Sequence, residues 1–235
     1  MGKKLTAFAS SEFEKAIGKL TEEVFAADLN YQLYHRIVGE INNHKRAYFR
    51  TQTLWGFILD SLLSQAILTL CRIYDGSNYD VNSLERVLRR LLIDNIPPES
   101  DNLLKDIDLV SEDDPFVKTL RNWRNNVLAH TNMPLGAKAK NLPKGFIPHH
   151  EDLRVLIDRA GDILSRYGES FVAINTVDLF VPKKEVEFVF QSVDEQIKCF
   201  EASMRTELEN LGLNPDVFLD EEKQMEEIFR INNLV

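Results

Sequence analysis

The segment from residue 48 to 74 restricts the fold more than any other part of the chain. Leu54, Phe57, Ile58, Leu62, Leu63, Ala66, Ile67, Leu70 and Ile73 keep a helical period over about seven turns. A stripe of that length needs other elements to cover it, so it is expected to form the central helix of the protein. It stops at Asp75-Gly76-Ser77-Asn78, where turn-forming residues cluster. Asn82-Ser83-Leu84-Glu85 then opens another helix, carrying Leu84, Val87, Leu88, Leu91 and Leu92 and ending at Pro97-Pro98.

The rest of the chain reads in the same way. Ser10-Ser11-Glu12-Phe13-Glu14 is a capping-type start for an amphipathic helix to about residue 24, and a second helix runs from about Asp28 to Lys45 with Leu33, Ile37 and Ile41 on one side. The acidic stretch 99–114 is a short helix or loop. Asp113-Asp114-Pro115 is a helix start, with carboxylates beside the amino-terminal dipole and proline at the first position. It leads into a buried stripe of Phe116, Leu120, Trp123 and Val127 and a helix to about Ala129. Residues 133–149, with three prolines and two glycines, form the one long loop. A helix spans 150–167. The Val-, Ile- and Phe-rich runs 171–181 and 186–190 suggest a small hairpin or loop, 192–211 is helical with Gly212 as its cap, and an acidic tail helix follows from about Pro215 to Ile231.

Ten glycines and eight prolines in 235 residues are too few for an all-β protein, so the fold class is all-α. The expected organisation is a helical core over residues 1–170, with a C-terminal helical extension over 171–235 that packs on it. With Cys71 and Cys199 as the only cysteines, neither a disulfide framework nor a thiolate zinc site is expected, and nothing implies a cofactor or metal. The N-terminus lacks the apolar core of a signal peptide, and Asp60, Ser61, Ser64 and Gln65 interrupt the longest apolar run. A cytoplasmic protein without membrane association is expected. The net charge of −9 argues against broad coating of nucleic acid and leaves room for one local basic pocket.

One constellation could carry chemistry: Arg121-Asn-Trp-Arg124-Asn125-Asn126-Val-Leu-Ala-His130. On a helix Arg124 and His130 lie about 120° apart around the axis and about 9 Å apart along it, so they flank the buried stripe without touching. Asn122, Asn126 and His130 stack at four-residue spacing beside it. Spacing alone is compatible with solvated asparagines and a histidine that caps the helix end. The sharper alternative is metal-free RNA cleavage, in which His130 moves protons, Arg124 holds the phosphate and Asn126 orients the imidazole or bonds the substrate.

Arginine, a polar residue, then histidine after four to six positions resembles the motif of the HEPN superfamily; here five residues intervene. Leu68-Thr-Leu-Cys-Arg72-Ile-Tyr-Asp75 at the end of a long apolar helix, followed by Asn82-Ser-Leu84, is similar to the AbiU-type branch, as is Ala129-His130-Thr131-Asn132. Asn132 stands where that branch would have an acidic residue. The resemblance covers roughly residues 10–170. It implies a HEPN-like helical bundle and a metal-independent endoribonuclease acting in phage defence or as a toxin. It further implies a homodimer whose motif helices face each other, RNA as substrate and an antitoxin protein as a second partner. In that reading Arg124, His130 and Asn126 are catalytic, while Asn122, Asn125, Thr131, Arg72 and Asp75 contact substrate. The alternative is a catalytically inactive module of the same fold that binds RNA, a nucleotide or a protein. From the residues themselves, Arg72 and Asp75 read first as an ion pair at a helix end. His149-His150 read as exposed loop histidines. Asn42-Asn-His44-Lys-Arg46 with Tyr48-Phe49-Arg50 reads as a solvated basic face, with an RNA groove as the sharper alternative.

Overall fold

The computed structural model describes residues 7–75, 83–93, 100–124, 150–167 and 183–215, which are helical with no strand among the described residues. The helices are α1 (Ala7–Asn43), α2 (Lys45–Arg50), α3 (Gln52–Ile73), α4 (Leu84–Ile93), α5 (Ser100–Val110), α6 (Pro115–Trp123), α7 (His150–Tyr167) and α8 (Lys183–Asn210). They form two compact units, residues 1–34 with 59–180 and residues 35–58 with 181–235, so α1 and α3 contribute to both.

In the first unit, Ala16, Ile17, Leu20, Val24, Ala27 and Tyr31 of α1 enter the core at helical spacing. The sequence suggested a break near residue 25, but α1 is continuous. Ala26-Ala27 favours helix, and Asp28, read as the start of a second helix, instead takes hydrogen bonds from Gln32 one turn on (2.8 and 2.9 Å) and from Arg154 of α7 (2.7 Å). The second half of α3 supplies Ala66, Ile67, Leu70, Cys71 and Ile73, with Tyr74 just beyond it. By length and composition α3 could cross a membrane, yet these side chains lie in the core. Leu84, Val87, Leu88 and Leu91 of α4, Leu103, Ile107 and Val110 of α5, Val117, Leu120 and Trp123 of α6 and six residues of α7 complete the core. The acidic stretch 100–110 is therefore helical. Two buried hydroxyls fix helices to backbone: Tyr31 donates to the His150 carbonyl at 3.0 Å and Tyr74 to that of Leu156 at 2.6 Å. The nearly buried Asp106 accepts from Arg166 (2.7 and 3.2 Å) and Tyr167 (2.8 Å).

In the second unit the chain pauses at His44 (φ −126°, ψ 49°), close to the helix end expected near Lys45, and again at Thr51 (φ −122°, ψ 25°), which divides the helix expected from residue 48. The Thr51 hydroxyl donates to the Ala47 carbonyl at 2.6 Å, a side-chain bond that competes with continuation. α8 packs on α2. Residues 186–190, expected as part of a hairpin, lie inside α8: Phe190 is fully buried and stacks on Trp55 (ring centroids 4.5 Å) and His44 (5.6 Å). Burial against those rings outweighs β-propensity. Residues 171–181, the other part of that expected hairpin, lie outside the described residues, as do the 170/171 boundary and the tail beyond 215. Gly212 takes φ +72°, and the amides of Leu213 and Gly212 bond the carbonyls of Leu208 (2.9 Å) and Glu209 (3.0 Å), closing α8 as the sequence suggested.

Candidate functional site

The site is built on α6 and the end of α3. Asp114 caps α6, accepting the amides of Phe116 (3.0 Å) and Val117 (3.1 Å), and Pro115 takes the first position, where no amide is needed. Val117, Leu120 and Trp123 are buried at three-residue spacing. Arg159 of α7 holds the capping carboxylate at 3.0 Å, donates to the Leu109 carbonyl at 2.7 Å and lies over the Phe116 ring. The start of the helix is thus fixed from three sides.

Two arginines one turn apart hold its last described turn. Arg121 donates to the Tyr74 carbonyl at 2.8 Å and to Glu112 at 2.6 Å, and its buried Nε has no hydrogen-bond partner. Arg124, with helical backbone, places Nη1 2.8 Å from Asp75 Oδ2. That pair joins positions 49 residues apart. Its side chains are 30% exposed for Arg124 and 13% for Asp75, so the guanidinium stands at the edge of the core, held by a carboxylate and open to solvent. Beneath it, the Cys71 thiol donates to the Leu120 carbonyl at 3.8 Å. Burial pushes that thiol up to about 12, Arg124, Arg121 and Arg72 opposing and Asp75 adding to the shift, so it is no nucleophile at neutral pH.

The residues singled out from sequence divide into three sets. Arg124 and Asp75 are in direct contact. Arg72 lies on the last turn of α3, half exposed, and in place of the ion pair with Asp75 that its spacing suggested it lies 3.5 Å from Glu23 and 3.1 Å from the Thr69 hydroxyl, while Asn122 is exposed on α6. Asn125, Asn126, His130 and Thr131 lie outside the described residues, as does His149. His150 begins α7 and stacks on Tyr34, with ring centroids 5.1 Å apart. In the second unit the basic cluster is partnered: Arg46 and Arg50 meet Glu201 of α8, and His44 lies 2.5 Å from Asp194. Among the described residues no group of three His, Cys, Asp or Glu side chains could hold a metal ion.

Arg121 is the anchor that sequence reasoning missed. Its only signal was a position one turn before Arg124, since a carbonyl 47 residues away leaves no local pattern.

A family model of the HEPN type, described as AbiU2, matches residues 10–178. Neither the curated proteins nor the solved structures contain a match.

Proposed function

The chain belongs to the HEPN AbiU2 family, and on that premise we propose that it is a metal-independent endoribonuclease of abortive-infection or toxin type. In this reading Arg124 binds the scissile phosphate, and His130 serves as general acid or base. The observation that carries it is the setting of Arg124: a guanidinium fixed by Asp75 on the last described turn of a helix whose start is capped by Asp114, with its side chain at the solvent edge.

The chemistry follows from those groups. A base removes the proton of a ribose 2′-hydroxyl, the 2′-oxygen attacks phosphorus, and the P–O5′ bond breaks as an acid protonates the leaving oxygen. A 2′,3′-cyclic phosphate and a 5′-hydroxyl result. A histidine suits either proton transfer, typically contributing a factor of about 10² to 10⁴. An arginine held in one orientation offers its planar fork to the phosphate and neutralises charge as the phosphorus becomes crowded. Asn126 orients the imidazole. Asp75 beside a phosphate would be repelled by it, so its part in binding is through Arg124. Two motif helices facing each other in a homodimer would complete the cleft, and an antitoxin protein would restrain it.

The inactive-module reading is favoured by one observation: Asp75 already occupies part of the guanidinium. Substitution separates the two. Arg124→Ala and His130→Ala should each abolish RNA cleavage in chelator and toxicity on expression, with helicity and molar mass unchanged. A purified wild-type protein that binds RNA but never cuts it, with or without metal, would establish the binding module instead.

A further inference from the structure

Tyr74 and Asp75 follow the last residue of α3, where helix carbonyls run out of amide partners and carry the negative end of the helix dipole. Each polar group of Tyr74 is bonded. Its amide donates to the Leu70 carbonyl (3.0 Å), its hydroxyl donates to the Leu156 carbonyl (2.6 Å), and its own carbonyl accepts from Arg121 Nη2 (2.8 Å). Asp75 is held less well by its backbone, since its amide reaches the Arg72 carbonyl only at 3.4 Å, yet its carboxylate meets Arg124 Nη1 at 2.8 Å. Arg121 and Arg124 stand three apart on α6 and so project from one face of it. They take adjacent residues at the end of α3, one by its backbone and the other by its side chain.

We propose that Arg121 is a positioning residue for the phosphate site: by fixing the Tyr74 carbonyl it sets where Asp75 stands, and so the direction in which Asp75 aims the Arg124 guanidinium. Its effect on the reaction rests on the reading of Arg124 as the phosphate-binding group. Arg121 does not reach a substrate itself. Its side chain is 12% exposed, its terminal nitrogens are engaged by Glu112 and Tyr74, and its Nε is buried without a partner. An unmatched buried N–H is unfavourable, and a pair with the exposed Glu112 offsets little of that, so the bond that gives this arginine its value is the one to the carbonyl. The planar fork spans both partners at once, which an ammonium in one orientation does not. A misaimed Arg124 would keep its charge near a bound phosphate and lose its alignment in the transition state, so the loss falls on the rate more than on binding.

The test follows Arg124 and the reaction separately, in the full chain. A guanidinium held by a carboxylate gives separate signals from its two terminal nitrogens, and a rotating one gives a single averaged signal. In protein labelled with nitrogen-15 at arginine, the signals that vanish in Arg124→Lys belong to Arg124. They should be separate in wild type and merge in Arg121→Met, which has similar length and no donor. Arg121→Met should also slow single-turnover RNA cleavage about 100-fold, with half-saturation changed by less than about 3-fold. Arg121→Lys, which keeps one donor, should lie about 10-fold below wild type in rate. Glu112→Ala should match wild type in both readouts. In an Asp75→Ala background, Arg121→Met should add less than about 2-fold, because its influence runs through Asp75. Circular dichroism verifies helicity, and if Arg121→Met loses it, Arg121→Lys carries the same comparison. Averaged Arg124 signals in wild type, or separate signals or a wild-type rate in the folded variant, overturn the proposal. So do losses from Arg121→Met and Asp75→Ala that multiply, or a Glu112→Ala loss equal to that of Arg121→Met. If wild type never cleaves RNA, the ribonuclease reading fails, and the Arg124 signals alone decide whether Arg121 positions that guanidinium.

Discussion

Asp114→Ala removes two supports of the motif helix at once. Its carboxylate caps the amides of Phe116 and Val117 and pairs with Arg159 at 3.0 Å. Loss of the cap costs about 1 kcal/mol. The ion pair is 9% and 13% exposed, between a surface pair worth about 0–1 kcal/mol and a buried one whose one-sided loss costs about 3–5 kcal/mol. Because Arg159 keeps the Leu109 carbonyl and the Phe116 ring, a value of about 1–2 kcal/mol applies. Together Asp114→Ala should cost about 2–3 kcal/mol, and Asp114→Asn, which keeps a capping oxygen, about 1–2 kcal/mol. The assay is urea unfolding followed by tryptophan fluorescence in a Trp55→Phe background, so that buried Trp123 reports on α6 itself. At a slope of about 2 kcal/mol per molar, the alanine variant shifts the midpoint by about 1–1.5 M and the asparagine variant by roughly half that. A shift below about 0.3 M for alanine, or equal shifts for both, would refute the assignment of Asp114 as cap and ion-pair partner.

Three further outcomes are expected. Native protein should react with a thiol reagent at exposed Cys199 only, buried Cys71 reacting after unfolding; two fast thiols per chain would contradict this. Burial raises the Cys71 thiol from 9.0 to about 12. A proton held more tightly in the fold contributes stability that is complete below the unfolded value and is lost as pH rises through the folded one, so stability should fall between about pH 9 and 12 more steeply in wild type than in Cys71→Ala. Leu120→Ala, at a fully buried position of α6, should cost about 2–5 kcal/mol in the same urea assay, and a loss under about 1 kcal/mol would mean that α6 does not pack there.

Most of the fold was legible because its signals are local. Asp113-Asp114-Pro115 announced α6, and the period of 48–73 announced α3, since caps and buried stripes act within a few turns. The helix end expected near Lys45 falls at His44, whereas the break at Thr51 was not legible, because neither glycine nor proline marks it. Val186 to Phe190 misled for a related reason: β-branched and aromatic residues read as strand until Trp55 and His44, far away in sequence, give Phe190 a helical packing site. At the site, Arg124 stood out by motif and family resemblance. Its contact with Asp75, and the hold of Arg121 on the Tyr74 carbonyl, depend on the chain bringing α3 and α6 together, which no spacing encodes.

The most direct test is end-group mapping of RNA incubated with purified protein in chelator. Wild type should leave 2′,3′-cyclic phosphate and 5′-hydroxyl ends, and Arg124→Ala none. Ends of the same kind from Arg124→Ala at the wild-type rate, or 3′-hydroxyl and 5′-phosphate ends from wild type, would contradict the proposed chemistry.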